Sequence, residues 1–450
     1  MAERNLFKLL DIANDSEEHI QRLDANAIIK EVQENPSSVA RKYCFDGSTR
    51  YPLLQAILLR APFEVISLLL RSFPDAVKEK DNDYGRLALH TACEEGASLD
   101  VISLLLESWP DAIKKKNNYD DTPLHAACAE GAPFDTISLL LSAWPDAIKE
   151  KDRDGRTPLF LACHQEASLD VISLLLESWP DAIKVRGTYD RTPLHTACAG
   201  GAPSEIISLL LRAWPDAIKE KDRGEQTPLF LACERGLSLD VISLLLEYCP
   251  DAIKMKNSLS VTPLHAACWY RPLNATWHQE LSLDVISLLL RSWPDAIQVK
   301  GTHDETPLHA VCINRAPFDT IALLLRAWPD AVKEKDRDDQ TPLFLACEPG
   351  VSLDVISLLL EYCPDAIKMK NRDGQTPLHV ACMYGASLDT ISLLLNTWPG
   401  ASNEKDSNDD IPFSAACYLG RPLEVLLLLL DAWLELPGNR NSDRVNSLTN

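Results

Sequence analysis

Thirteen cysteines, ten histidines and 66 acidic residues could supply a metal centre, a nucleophile or a carboxylate pair. Their spacing argues against all three. Ten of the cysteines are Cys93, Cys128, Cys163, Cys198, Cys233, Cys268, Cys312, Cys347, Cys382 and Cys417. Neighbours in this series lie 35 residues apart, except for one step of 44. A thiolate site needs ligands that converge, as paired Cys-x-x-Cys elements do. A regularly spaced column reads instead as small core filler. Cys249 and Cys363 replace a tryptophan of the pattern and read the same way. Six histidines, His90, His125, His195, His265, His309 and His379, close a short repeated motif, but Phe160, Phe230 and Phe344 take the same place elsewhere. An obligatory catalytic or ligating group could not be exchanged for phenylalanine. A pH-sensing role stays open for these histidines.

The aligned acids Asp111, Asp146 and Asp181 stand one block apart, so they form no carboxylate pair. Eight tryptophans recur at one place (Trp109, Trp144, Trp179, Trp214, Trp293, Trp328, Trp398 and Trp433) and could suggest a base-stacking platform. Asp follows nearly every Trp-Pro pair, however, and the formal charge is −22, so nucleic acid is disfavoured. Packing is the reading we take. No Gly-rich phosphate loop, Gly-x-Ser-x-Gly elbow or His-Glu-x-x-His motif occurs. The residues therefore predict no enzyme, no metal and no cofactor.

The elements that carry these residues repeat. "TPLH" or "TPLF" begins at Thr122, Thr157, Thr192, Thr227, Thr262, Thr306, Thr341 and Thr376, with weaker versions at Tyr51, Leu87 and Ile411. That makes eleven units, preceded by a half-unit at 27–47. In the unit of Thr157, the charged Gly-containing opening is a turn. Thr157 and Pro158 predict an N-cap and first helical residue, with Leu159, Ala162 and Cys163 as the buried stripe. Ser168 restarts a helix, and Val171, Ile172, Leu174, Leu175 and Leu176 cover too wide an arc for a simple surface helix. Trp179 and Pro180 end it. A unit with surplus apolar surface is stable only when stacked on its neighbours.

The pattern resembles the ankyrin repeat, whose mark is Thr-Pro-Leu-His-x-Ala in about 33 residues. Residues 122–127 and 262–267, "TPLHAA", carry that mark in full, and the resemblance spans roughly residues 27–434. It differs by two extra residues per unit, one between the helices and one near "WPDAIK". The resemblance implies an all-α fold, an ankyrin-repeat solenoid of helix-turn-helix units joined by β-turn or hairpin tips. It also implies that the motif histidine orders the turn through backbone hydrogen bonds. Residues 1–47 are expected to form a helical cap and degenerate half-repeat, 48–436 the array with an insertion at 269–280, and 437–450 a disordered polar tail. Leu423 to Leu436 should form a closing helix with an amphipathic outer face.

The implied function is a protein-interaction module or scaffold that binds a protein partner through turn tips and first-helix ends. The alternative is a regulatory or targeting subunit of an enzyme complex; an enzyme with an unrecognised site ranks below both. The tip column holds Tyr84, Tyr119, Tyr189 and His303. The position after the core cysteine changes from mostly small or polar to Trp269, Ile313, Met383 and Tyr418, with Tyr384 beside Met383. Tyr270 and Trp277 of the insertion complete the candidates. Apolar anchors of this kind point to partner contact in the C-terminal half. The N-terminus has no uninterrupted apolar core and the longest apolar run, 425–430, is far short of a bilayer span. The expectation is a monomer, not inserted in a membrane, in a reducing intracellular compartment, cytoplasmic or nuclear.

Overall fold

The Thr157 unit shows how the sequence makes one layer. In the computed structural model, which describes residues 3–12, 23–45, 47–165, 167–269, 283–437 and 439–440, Thr157 is extended and its hydroxyl accepts the Phe160 N–H at 3.3 Å. Pro158, whose missing N–H costs nothing at a helix start, opens the first helix, Pro158–His164. Leu159, Ala162 and Cys163 are buried on it. The second helix is Leu169–Ser178, capped by the Ser168 hydroxyl, with Asp170 in the first turn where the helix dipole favours a negative charge. Trp179 breaks it with φ −149° and ψ 89°, while its N–H still reaches Leu175 O at 3.1 Å. Pro180–Lys184 then forms a 3-10 turn that buries Ala182 and Ile183. The recurring "WPDAIK" is thus more than a helix stop. It is a third packed element.

The chain divides into two units, Met1–Arg223 and Gly224–Asn450, each a stack of such layers. In the first, the helices Pro123–Ala129, Pro158–His164 and Pro193–Gly200 pack in succession. Leu124, Leu159 and Leu194 line up fully buried, as do Ile137, Ile172 and Ile207 on the second helices. Each such side chain contributes roughly 1.5–3 kcal/mol. The second unit repeats this with Leu308, Leu343 and Leu378. Leu174 of the expected apolar arc is only half-buried, because it lies toward solvent between neighbouring second helices.

The tips are side-chain-ordered turns. Asn117 Oδ1 accepts the N–H groups of Tyr119 and Asp121 at 2.8 and 2.9 Å, and Asp152 does the same for Asp154 and Arg156. Successive tips are tied by the main chain, Arg153 N–H to Tyr119 O at 2.9 Å in the first unit and Arg337 N–H to His303 O at 2.7 Å in the second. Lysines add a rail: Lys80 donates to Lys116 O at 2.9 Å and Lys116 to Lys151 O at 3.1 Å. Among the described residues the only sheet is one hairpin at the first tip, β1 (Tyr43–Phe45) and β2 (Ser48–Arg50), with Cys44 opposite Thr49.

At the N-terminus the helices Glu3–Leu10 and Ala25–Glu34 pack on the first layers, burying Leu6, Leu10 and Ile28. Gln55 Nε2 donates to Leu10 O at 3.0 Å. The last helix among the described residues is Leu423–Glu435. On its outer side Leu423 and Leu427 are 69% and 49% exposed, and Glu424, Asp431 and Glu435 are exposed with them, so that side mixes apolar and acidic positions. Leu427 takes the place that serine holds in most second helices, for example Ser357 and Ser392. Cys417 is also exposed, unlike the rest of its column, because no described layer lies beyond it. Residues 270–282 and 441–450 lie outside the described residues, and with them most of the insertion and the expected tail.

Candidate partner-binding site

Five histidines of the repeated motif, His90, His125, His265, His309 and His379, stitch their own turn to the next tip. The Thr122 N–H donates to His125 Nδ1 at 3.2 Å, which leaves the proton on Nε2, and Nε2 donates to Arg156 O, 3.2 Å away in the next tip. Thr262 and His265 repeat the arrangement with a 2.8 Å hydroxyl contact at Nδ1 and Glu305 O at 3.2 Å from Nε2. Burial pushes His90, His125, His265 and His309 down to about 4. They are neutral structural clamps for the loops that carry the candidate site. The buried members of the cysteine column are inert for the same reason: burial pushes Cys163 and Cys268 up to about 12. Such thiols are neither nucleophiles nor ready metal ligands. Among the described residues no group of three or more His, Cys, Asp or Glu side chains could hold a metal ion.

The tip candidates of the first unit are exposed, and two of them meet. The rings of Tyr84 and Tyr119 lie 6.0 Å apart, with Arg86 4.7 Å from the Tyr84 ring and Arg153 5.7 Å from the Tyr119 ring. Tyr189, two layers further along the sequence, is exposed with Arg191 at 5.7 Å. Its φ of 59° is in the left-handed region, as befits a turn residue. The first-helix end of the Tyr84 layer is acidic: Arg86 binds Glu94 there, and Asp81 beside the tip, both at 2.7 Å. Burial raises the Glu94 carboxyl above its usual range, against the pull of Arg86.

In the second unit His303 is exposed at its tip. The apolar column is not uniformly exposed. Trp269, Ile313 and Met383 are half-buried, because each leans on its own layer. The Trp269 ring sits 6.4 Å from the His265 ring, and Gln375 Nε2 donates to the Met383 sulfur at 3.0 Å. Tyr384 and Tyr418 are the open positions, 54% and 91% exposed. Arg421 Nε, donating to Cys382 O at 2.8 Å, anchors the segment between them. Tyr270 and Trp277 lie outside the described residues.

One surface escaped the sequence reading. The first residue of the second helix is apolar in every unit but that of Ser204, and it is partly exposed throughout; Phe134, Leu169, Phe318 and Leu353 are examples. The signal was present, since first-turn helix positions are ordinarily polar.

No helix among the described residues is long and apolar enough to cross a membrane. A search of curated proteins returned no match to the chain. A family model described as "Ankyrin repeats (3 copies)" matches residues 53–149, 128–217, 201–290 and 348–436. Ankyrin repeats generally serve as protein–protein interaction modules. With capped helix pairs in stacked layers, ordered tips and this match over most of its length, the chain belongs to the ankyrin-repeat family.

Proposed function

We propose that the chain is a protein-interaction module without chemistry of its own, and that partner contact centres on the first-helix ends of the C-terminal half. The exposure of Tyr384 and Tyr418, two aromatic side chains on consecutive layers, is the observation that carries this reading. Burying a large apolar side chain on binding is worth roughly 1.5–3 kcal/mol, so a few anchors reach micromolar affinity. In the same reading residues 1–47 cap the array of 48–436, and the protein acts as a monomer in an intracellular compartment.

The test is a triple change, Met383→Ser, Tyr384→Ser and Tyr418→Ser, with capture of the native partner as readout. It should weaken capture by about tenfold or more, about 1.4 kcal/mol, with the melting temperature almost unchanged. A matched change of Glu94, Glu95 and Glu130 to Ser serves as the control. If the control abolishes capture and the C-terminal variant binds normally, the site lies in the first unit and the assignment is wrong.

A further inference from the structure

Between the second helices Phe318–Ala327 and Leu353–Tyr362 lies an open groove of about 260 Å³, on a different face from the first-helix ends. Phe318, Leu358 and Ser357 line it together with the carboxylates of Asp354 and Glu361. Phe318 is 41% exposed although nothing in its own layer requires an aromatic there. The groove is smaller than the roughly 300–1,000 Å³ of small-molecule sites, and its size suits a single long side chain.

The charges choose the side chain. Acids of the neighbouring 3-10 turns are neutralised within the chain, Asp330 by Lys333 at 2.9 Å and Asp365 by Lys368 at 3.0 Å. Asp354 and Glu361 make no ion pair among the described residues, yet both face an apolar lining. An arginine or lysine offers what this surface lacks. Its aliphatic stem would lie on Phe318 and Leu358, and its charge would meet the two carboxylates and the Phe318 ring. The first unit carries the same set at the same spacing: Phe134, then Asp170, Leu174 and Glu177. Asp170 and Glu177 are exposed and likewise without an ion pair among the described residues. Phe63, Asp100, Leu104 and Glu107 follow the same order one residue further apart, while Arg212, Arg291 and Arg326 take the place of Glu361 in their own layers.

We infer that these second-helix grooves dock a basic segment of a partner protein in which arginine or lysine alternates with apolar residues. The surface is a second docking site, separate from the first-helix ends. The test uses the full chain and a short synthetic peptide of alternating arginine and leucine, followed by fluorescence anisotropy. The variants are made in a parent carrying Phe63→Ser and Glu107→Lys, which removes the third set, and are paired across the other two: Phe134→Ser with Phe318→Ser, and Glu177→Lys with Glu361→Lys. Each pair should weaken binding about tenfold or more, while Asp181→Asn with Asp365→Asn, at acids that lysine already neutralises, should change it less than about twofold. A peptide with serine for leucine should bind the parent about tenfold more weakly.

Several outcomes overturn the inference. Equal losses from the Asp181/Asp365 pair and the Glu177/Glu361 pair would mean a diffuse field. Unchanged binding by the Phe134/Phe318 pair, shown folded by circular dichroism, would remove the groove. The two glutamates are exposed, so their pair reports even if the phenylalanine pair unfolds. A parent that sediments as a dimer, and becomes monomeric in the Phe134/Phe318 pair, would make a second copy the occupant. The Met383, Tyr384 and Tyr418 triple variant should bind the peptide normally; if it does not, the peptide is read at the first-helix ends. That last result would sink the second site while leaving the first standing.

Discussion

Replacing His265 by Phe should make the second unit less sensitive to acid. Burial, the largest cause, holds His265 at about 4 instead of 6.5, and Lys256 and His309 lower it further. The bonds to Glu305 and Val299 pull it the other way without prevailing. The fold thus prefers the neutral ring, and the unfolded chain takes up the proton first. Stability present above pH 6.5 is lost as the pH falls toward about 4. A difference of about 2.5 pH units at about 1.36 kcal/mol each sets a ceiling near 3 kcal/mol, of which about 2 kcal/mol is lost by pH 5. Phenylalanine fits the place. Phe160 occupies it in the first unit, where a Cβ on the facing Gly187 would come within 2.9 Å of the ring, and Gly301 faces His265 in the same way. Thr262 still caps the helix, as Thr157 does for Phe160. Near neutral pH the variant should lie within about 1 kcal/mol of the parent, because one net hydrogen bond is exchanged for apolar burial. Urea unfolding at about pH 7.5 and about pH 5, followed by circular dichroism, reads the difference. Burial raises the Glu305 and Asp336 carboxyls, which favours the fold as the pH drops, but both remain in parent and variant and cancel in the comparison. An equal loss in the two proteins would refute His265 as the source.

Three further outcomes follow from the packing. Leu175→Ala, at a fully buried second-helix position, should cost about 2–5 kcal/mol in urea unfolding, because a cavity is left between layers. Thr122→Ala removes the hydroxyl that contacts both His125 Nδ1 and His125 N–H, and should cost about 1 kcal/mol by the same measurement. Thiol titration of the native protein should find Cys44 and Cys417 reacting fast and the eleven buried cysteines only after denaturant; fast reaction of Cys128 or Cys163 would mean that the column is open.

The repeat grammar was legible because it is local. Thr157 capping Phe160, Pro158 at the helix start and Ser168 capping Val171 act within three residues, so the sequence alone determined where each helix begins. The cysteine, histidine and Trp-Pro columns were readable as structure from their period and from exchanges such as His125 for Phe160. Other properties depend on residues about one repeat apart. The approach of the Tyr84 and Tyr119 rings and the exposure of Cys417 follow from which layer lies beside which, and in the last case from no described layer lying there. The Phe318 groove exists only because one second helix presents its first residue to Leu358 and Glu361 of the next. Linear pattern fixes hydrogen bonds that close within a turn of helix. Exposure and groove shape are set between layers, by packing that no single repeat encodes.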